Sequence, residues 1–275
     1  MFGLRLCTQA EAGRLLRVLF LRQRRVPTPA GIASGFGIFG SSAMSTKKLA
    51  AEFLGTFCLV FAGTGAIIAN DVSGGAVSHV GIALTFGLVV MAMIYAMGDV
   101  SGAHLNPAVT LGFCAAHRLS QREALPFIAA QCAGGMSASL VLRLLFSAHA
   151  TLGGTRPLGS GLHASAQAFV FEFILTSILM FVVLSVSTGA KEKGITAGIA
   201  VGGVIALEAL FAGPISGASM NPARSLAPAV ATLHWAGLWI YLLAPVLGAL
   251  GGVAACRCVR EAGCCTAAAT LVETA

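Results

Sequence analysis

The chain has 275 residues, of which 57% are hydrophobic and only 10% charged, where a soluble globular domain carries about 25% charge. That composition excludes most soluble folds, and 34 glycines spread through the apolar stretches suit helices that must approach closely in lipid. The net charge of +7 does not call for a nucleic-acid partner: Arg5, Arg14, Arg17, Arg22, Arg24 and Arg25 against Glu11 place most of it in residues 1–43 and leave the rest nearly neutral.

That leader is Arg-rich and acid-poor, but its LLRVLFLR stretch is too short and too charged for a secretory core or a span. Met44, Ser45, Thr46, Lys47 and Lys48 directly before the first long apolar run read as a natural start. Residues 1–43 are therefore expected to be a disordered tail or an over-extended N-terminus outside the fold. A main domain over 44–258 and a tail over 259–275 make up the rest.

A membrane-spanning helix needs ~20 mainly apolar residues. Six stretches qualify, at 48–70, 79–98, 122–146, 166–188, 194–213 and 235–258. Between the second and third, and again between the fifth and sixth, lies an apolar piece of about ten residues, too short to cross a bilayer. The first reads Ser101-Gly102-Ala103-His104-Leu105-Asn106-Pro107-Ala108, and the second Ser216-Gly217-Ala218-Ser219-Met220-Asn221-Pro222-Ala223. The matching frames are an internal repeat, and Glu52 and Glu172 precede the two Asn residues at similar distances. The repeats run over about 48–146 and 166–258.

Each repeat holds three spans and one short segment. Three is odd, so the second repeat enters the membrane from the opposite side, and a pseudo-two-fold axis in the membrane plane relates the halves. The expected fold is an all-α integral membrane protein with six transmembrane helices, two re-entrant half-helices and inverted 3+3 repeats. Lys47, Lys48, Arg118, Arg122, Lys191, Lys193, Arg257 and Arg260 fall on one side, against Arg143 and Arg156 on the other. Both termini are therefore expected in the cytoplasm.

Asn favours the helix N-cap and Pro the first helical position, so each Asn-Pro-Ala starts a short helix. Irregular backbone at membrane depth is tolerated where it lines a water-filled cavity, and inverted symmetry brings the two starts together near the midplane. If the Asn106 and Asn221 carboxamide oxygens take capping bonds, their NH2 groups remain as donors to a passing oxygen. The positive ends of two helix dipoles repel cations and protons but not neutral solutes. One such box is an ordinary loop and cap. Two in matching frames between spans point to a pore.

On these boxes the chain resembles the aquaporin or major intrinsic protein family, over about residues 47–258. The resemblance implies a pore in every protomer of a homotetramer, in the plasma membrane, with no cofactor or metal and no catalysis. It implies that Arg224 is the filter arginine, joined by Phe86, Ala209 and Ala218, and that Glu52 and Glu172 brace the re-entrant loops. Water-selective members of the family resemble one another in having His where this chain has Ala209, which implies a wider, more apolar filter. ALEALFAGPISGASMNPARSLAPA resembles bacterial channels close to the plant nodulin-like branch. Glycerol, urea or neutral metalloid acids are then expected to pass alongside water.

Glu208, beside Ala209 in the fifth span, is expected to brace Arg224 or a loop backbone. His104 and His79 are expected to be packing or loop residues. Eight cysteines sit mostly in apolar runs; Cys256, Cys258, Cys264 and Cys265 leave lipidation or metal binding open, but no partner His stands near them. A strictly water-selective channel is the alternative within the class. A secondary transporter would need coupling-ion ligands, and apart from Glu52, Glu172, Glu208 and acids at span ends such as Asp71 and Asp99 the spans lack acids. A membrane enzyme would need a convergent nucleophile, base or metal set; none is legible. A structural junction protein of the same fold has no use for Arg224 or for two intact boxes.

Overall fold

The computed structural model describes residues 45–187 and 191–259, without the side chains of 191–195. The expected leader and most of the C-terminal tail, with Cys7, Cys264 and Cys265, lie outside the described residues. Among the described residues eight helices follow in chain order: α1 (Thr46–Val72), α2 (Ser78–Ser101), α3 (Pro107–Ala115), α4 (Gln121–Leu145), α5 (Gly161–Val186), α6 (Lys191–Ser216), α7 (Pro222–Thr232) and α8 (Leu238–Val259). No strand occurs among the described residues. Six helices are long and apolar enough to cross a membrane; α3 and α7, with 9 and 11 residues, are not.

Several helix ends differ from the sequence reading by a few residues, and two starts have a local reason. α5 begins at Gly161 rather than 166, because His163, Ser165 and Gln167 lower the hydropathy of a turn that is helical all the same. α8 begins at Leu238 rather than 235, because Gly237 takes a left-handed conformation at φ +73 inside a turn closed by Leu238 N–H on the Trp235 carbonyl.

The burial pattern is inverted relative to a soluble bundle. Leu54, Leu88, Leu140, Leu162, Leu207 and Leu243 lie exposed, whereas Glu52, Thr56, Gln131, Glu172 and Thr176 are fully buried. Apolar side chains on the outside and polar ones inside suit a helical bundle solvated by lipid.

Packing follows the repeat. α1 lies along α2 and α4, α5 along α6 and α8, and α2 meets α6 between the halves. Each half-helix packs chiefly on the last span of the other half, α3 on α8 and α7 on α4. Close contact is secured at equivalent glycines. A Cβ on Gly134 of α4 would strike the Phe53 carbonyl on α1, and one on Gly248 of α8 the Phe173 carbonyl on α5. Gly134→Val and Gly248→Val are each expected to destabilise by at least the ~1–3 kcal/mol typical of overpacking, because main chain and not a mobile side chain is the obstacle. Thermal unfolding in detergent checks this, and an unchanged midpoint for either variant contradicts the packing described.

Candidate functional site

The site is built from the two stretches of non-helical backbone that link α2 to α3 and α6 to α7. Gly102 and Gly217 end their helices at φ +88 and +90, donating N–H to Gly98 and Gly213 carbonyls, as left-handed C-caps do. Ala103, Leu105, Ala218 and Met220 also take positive φ. For residues with a Cβ this costs on the order of 1–3 kcal/mol each, so the surroundings must hold them.

The holding groups are two carboxylates. Glu52 of α1 accepts from Ser101 Oγ (2.6 Å), His104 N (3.0 Å) and Leu105 N (2.8 Å). Glu172 of α5 accepts from Ser216 Oγ (2.8 Å), Ser219 N (2.9 Å) and Met220 N (2.8 Å). The same Ser hydroxyls accept from Ala103 N and Ala218 N at 3.1 Å. Each loop is thus tied at matching positions to a span of its own half.

The two Asn side chains cap the half-helices and join the loops. Asn106 Oδ1 accepts from Ala108 N at 2.8 Å; Asn221 Oδ1 accepts from Ala223 N at 3.0 Å and Arg224 N at 3.3 Å. Asn106 Nδ2 donates to the Met220 carbonyl at 2.7 Å, and Asn221 Nδ2 to the Leu105 carbonyl at 2.8 Å. The sequence reading left both NH2 groups free, but the structure spends one N–H of each on the opposite loop. A carboxamide has two N–H donors, so one remains on each Asn, and both side chains line the inner cavity. Pro107 and Pro222 occupy the first helical positions, followed by Ala108 and Ala223, both fully buried.

Two cavities meet here. The inner one runs from Val186, Ser187 and Ala197 past both Asn residues. The outer one is lined by Asp71, His79, Arg156 and residues 153–159. They share four lining residues: Phe86, Ala209, Ala218 and Arg224. The positions that the resemblance implies for a filter are therefore those at which the two spaces adjoin, the neck between them. Arg224 is 2% exposed, its guanidinium carbon stands 5.1 Å from the centre of the Phe86 ring, and Nη1 donates to the Gly153 carbonyl at 2.9 Å. No carboxylate forms an ion pair with it among the described residues, whose ion pairs are Lys48–Glu123 and His149–Asp71. Its charge borders the neck with no carboxylate in contact, Glu172 acting on it from a longer range.

Glu208 does not brace as expected. It is 1% exposed, and neither carboxylate oxygen has a hydrogen-bond partner among the described residues; Arg224 is seated by a main-chain carbonyl instead. His104 stacks on Phe113 at 4.4 Å, meets Phe127 edge-on and places Nδ1 3.2 Å from Thr110 Oγ1. His79 Nε2 lies 2.8 Å from the Leu210 carbonyl. Three contributors escaped the sequence reading. Gln131 donates to Glu52 at 2.7 Å, Tyr241 donates its hydroxyl to the Ser216 carbonyl at 2.6 Å, and Gly153 seats Arg224. Gln131 was discoverable as a lone amide in an apolar span, whereas a glycine carbonyl leaves no trace in sequence.

Comparison with known proteins places this geometry among relatives. The family model described as Major intrinsic protein matches residues 40–255. The chain is 51% identical over 218 residues to Aquaporin NIP1-4 of Oryza sativa subsp. japonica, covering 79% of this chain and 78% of that one. It is 44% identical over 215 residues to Nodulin-26 of Glycine max, covering 78% of each. Among solved structures, the aquaglyceroporin from Plasmodium falciparum superposes with a TM-score of 0.68 at 26% identity, covering 76% of this chain and 94% of that one.

Replacing Glu172 by Ala leaves the Ser219 and Met220 N–H groups buried without acceptors, at about 1–3 kcal/mol for each. Glu172→Ala is expected to lower the thermal midpoint in detergent and to abolish flux, with Glu172→Gln, which keeps one acceptor oxygen, falling between. Wild-type stability of the Ala variant contradicts the bracing role.

Proposed function

The chain belongs to the major intrinsic protein family and is a multi-pass membrane channel for water and small neutral solutes; from that premise we propose that it is a passive facilitator of the solute-permeable kind, with Phe86, Ala209, Ala218 and Arg224 as its filter. The observation that carries the reading is the neck, where two of the four shared residues are alanines. A wall of two methyl groups opposite Phe86 and Arg224 leaves room for a carbon skeleton, while the guanidinium and the Gly153 side supply hydrogen bonding for hydroxyls. Glycerol, urea and neutral metalloid acids fit that chemistry alongside water. The solved relative titled an aquaglyceroporin supports the same direction.

Beyond the neck, the remaining N–H of Asn106 and of Asn221 donates to a passing oxygen. Both half-helices begin at these residues, so their positive dipole ends add to the Arg224 charge against cations and protons. Glu52 and Glu172 serve the loops and take no part in transport. The protein works as a homotetramer of separately conducting protomers in the plasma membrane, with both termini cytoplasmic; the side rich in Lys and Arg supports that orientation.

The test is stopped-flow light scattering on proteoliposomes of the full chain, challenged in turn with an impermeant osmolyte and with glycerol. Fast shrinkage followed by fast glycerol re-swelling supports the proposal, and water flux without re-swelling refutes it. Ala209→His is expected to cut glycerol flux by roughly ten-fold or more, the scale of a small change in a fitted pocket, and water flux by much less. Equal losses for both would sink the filter assignment.

A further inference from the structure

We propose that His149 and Asp71 are positioning residues for the neck: they hold the segment whose Gly153 carbonyl seats Arg224, and protonation of His149 loosens that seat so that flux falls on acidification. The proposal rests on the filter reading above.

His149 lies in the connection between α4 and α5. Its Nε2 is 3.1 Å from Asp71 Oδ2 at the end of α1, and its Nδ1 accepts the N–H of Leu152 at 3.0 Å. Its own carbonyl accepts from Arg143 Nη1, at the end of α4, at 3.2 Å. The imidazole is 12% exposed, and Asp71 is 52% exposed. Leu152 is fully buried with Ile68 and Leu142. Gly153 follows at φ +68, pressed so closely on Thr64 that no Cβ fits, and its carbonyl holds the Arg224 guanidinium. Residues 149–153 thus form one strap from Asp71 to Arg224.

The partners settle the tautomer. A backbone N–H only donates, so Nδ1 carries the lone pair, and the ring proton is on Nε2 facing Asp71. Imidazole is the side chain that ordinarily changes charge between about pH 5 and 8. A proton added at Nδ1 sets a donor against the Leu152 N–H, and that bond is lost. Asp71 still holds the ring through Nε2, so the loss falls on the Leu152 bond. The other ionisable groups of this mouth are His79 on α2, Arg156 in the same connection and Arg224 on α7, with His234 beyond α7 in a recess beside Thr151. Of these groups, His149 joins its ring to the segment carrying Gly153, through the Leu152 N–H. Once Leu152 is released, Gly153 shifts and Arg224 leaves the wall for the neck, narrowing it for larger solutes first.

The experiment is glycerol and water flux of the full chain in proteoliposomes, at equal pH on both sides, from about pH 8 to about pH 5. Glycerol flux of the wild type is expected to fall by about two- to ten-fold, the size of one neutral hydrogen bond. His149→Asn places a carboxamide oxygen where Nδ1 was, an acceptor that does not protonate in this range, and is expected to flatten the profile. His149→Ala, lacking the acceptor, is expected to hold glycerol flux low at every pH. Asp71→Ala, which removes the acceptor that anchors Nε2, is expected to lower glycerol flux at every pH, and His79→Gln to keep the wild-type drop. A flat wild-type profile, a full drop in His149→Asn or wild-type glycerol flux in Asp71→Ala overturns the proposal. Ala209→His in the same vesicles separates the two claims. If it changes the glycerol-to-water ratio while His149→Asn keeps its drop, only the strap fails; if it leaves the ratio unchanged, the filter reading fails.

Discussion

Hydrogen bonds from Asn106 to the Met220 carbonyl and from Asn221 to the Leu105 carbonyl hold two pieces of irregular backbone against each other in the middle of an apolar bundle. With no water to turn to, an unpaired main-chain group there costs several kcal/mol, and each loop also carries strained left-handed residues. Neither loop satisfies itself. Each donates two main-chain N–H groups to a glutamate of its own half and accepts one bond from the Asn of the other half. Placing one loop therefore places its counterpart, and the six long helices are the scaffold that brings Glu52, Glu172 and both caps to one level. The duplicated sequence frame is the record of that mutual requirement.

Charge selection at the neck follows from magnitudes. A cation about 4 Å from a guanidinium faces roughly 4 kcal/mol of repulsion at an effective dielectric near 20, enough to slow passage by about a thousand-fold. A neutral solute faces none of it and gains a donor instead. The barrier depends on Arg224 having no carboxylate in direct contact, and the structure meets that condition by seating the guanidinium on a carbonyl dipole and the face of Phe86. An acid in the place of Gly153 would hold the side chain equally well and cancel the field.

What could be read from sequence divides along physical lines. The spans were legible because lipid demands length and apolarity and nothing else competes with that signal. The loops were legible because Asn-Pro-Ala has a cap mechanism and occurs twice, and the bracing glutamates because a carboxylate in a span needs a reason to be there. The four neck residues came together through their spacing from the two Asn residues, supplied by the resemblance. What escaped were interactions through main chain, Gly153 above all, and the split use of each Asn NH2. The beginning of α5 escaped as well, since hydropathy marks where a helix is apolar and not where it is wound. Glu208 shows the opposite failure: a buried acid invites a partner, and the fold provides none among the described residues.

The repeat also clarifies why the neck sits off the centre of symmetry. The frame is duplicated at every holding position: Ser101 with Ser216, His104 with Ser219 through their N–H groups, Leu105 with Met220, Asn106 with Asn221. Immediately after the box the halves diverge, for Arg224 has Val109 as its counterpart, and Ala209 has Ile94, both lining the inner cavity. A second arginine at 109 would set two buried like charges across one narrow path, with no carboxylate to spare for either. One half thus supplies the fixed charge and the other an apolar wall, so a solute crosses a single constriction. Duplication serves the scaffold, where both loops face the same hydrogen-bonding demand. The function lives in the positions at which the two copies differ.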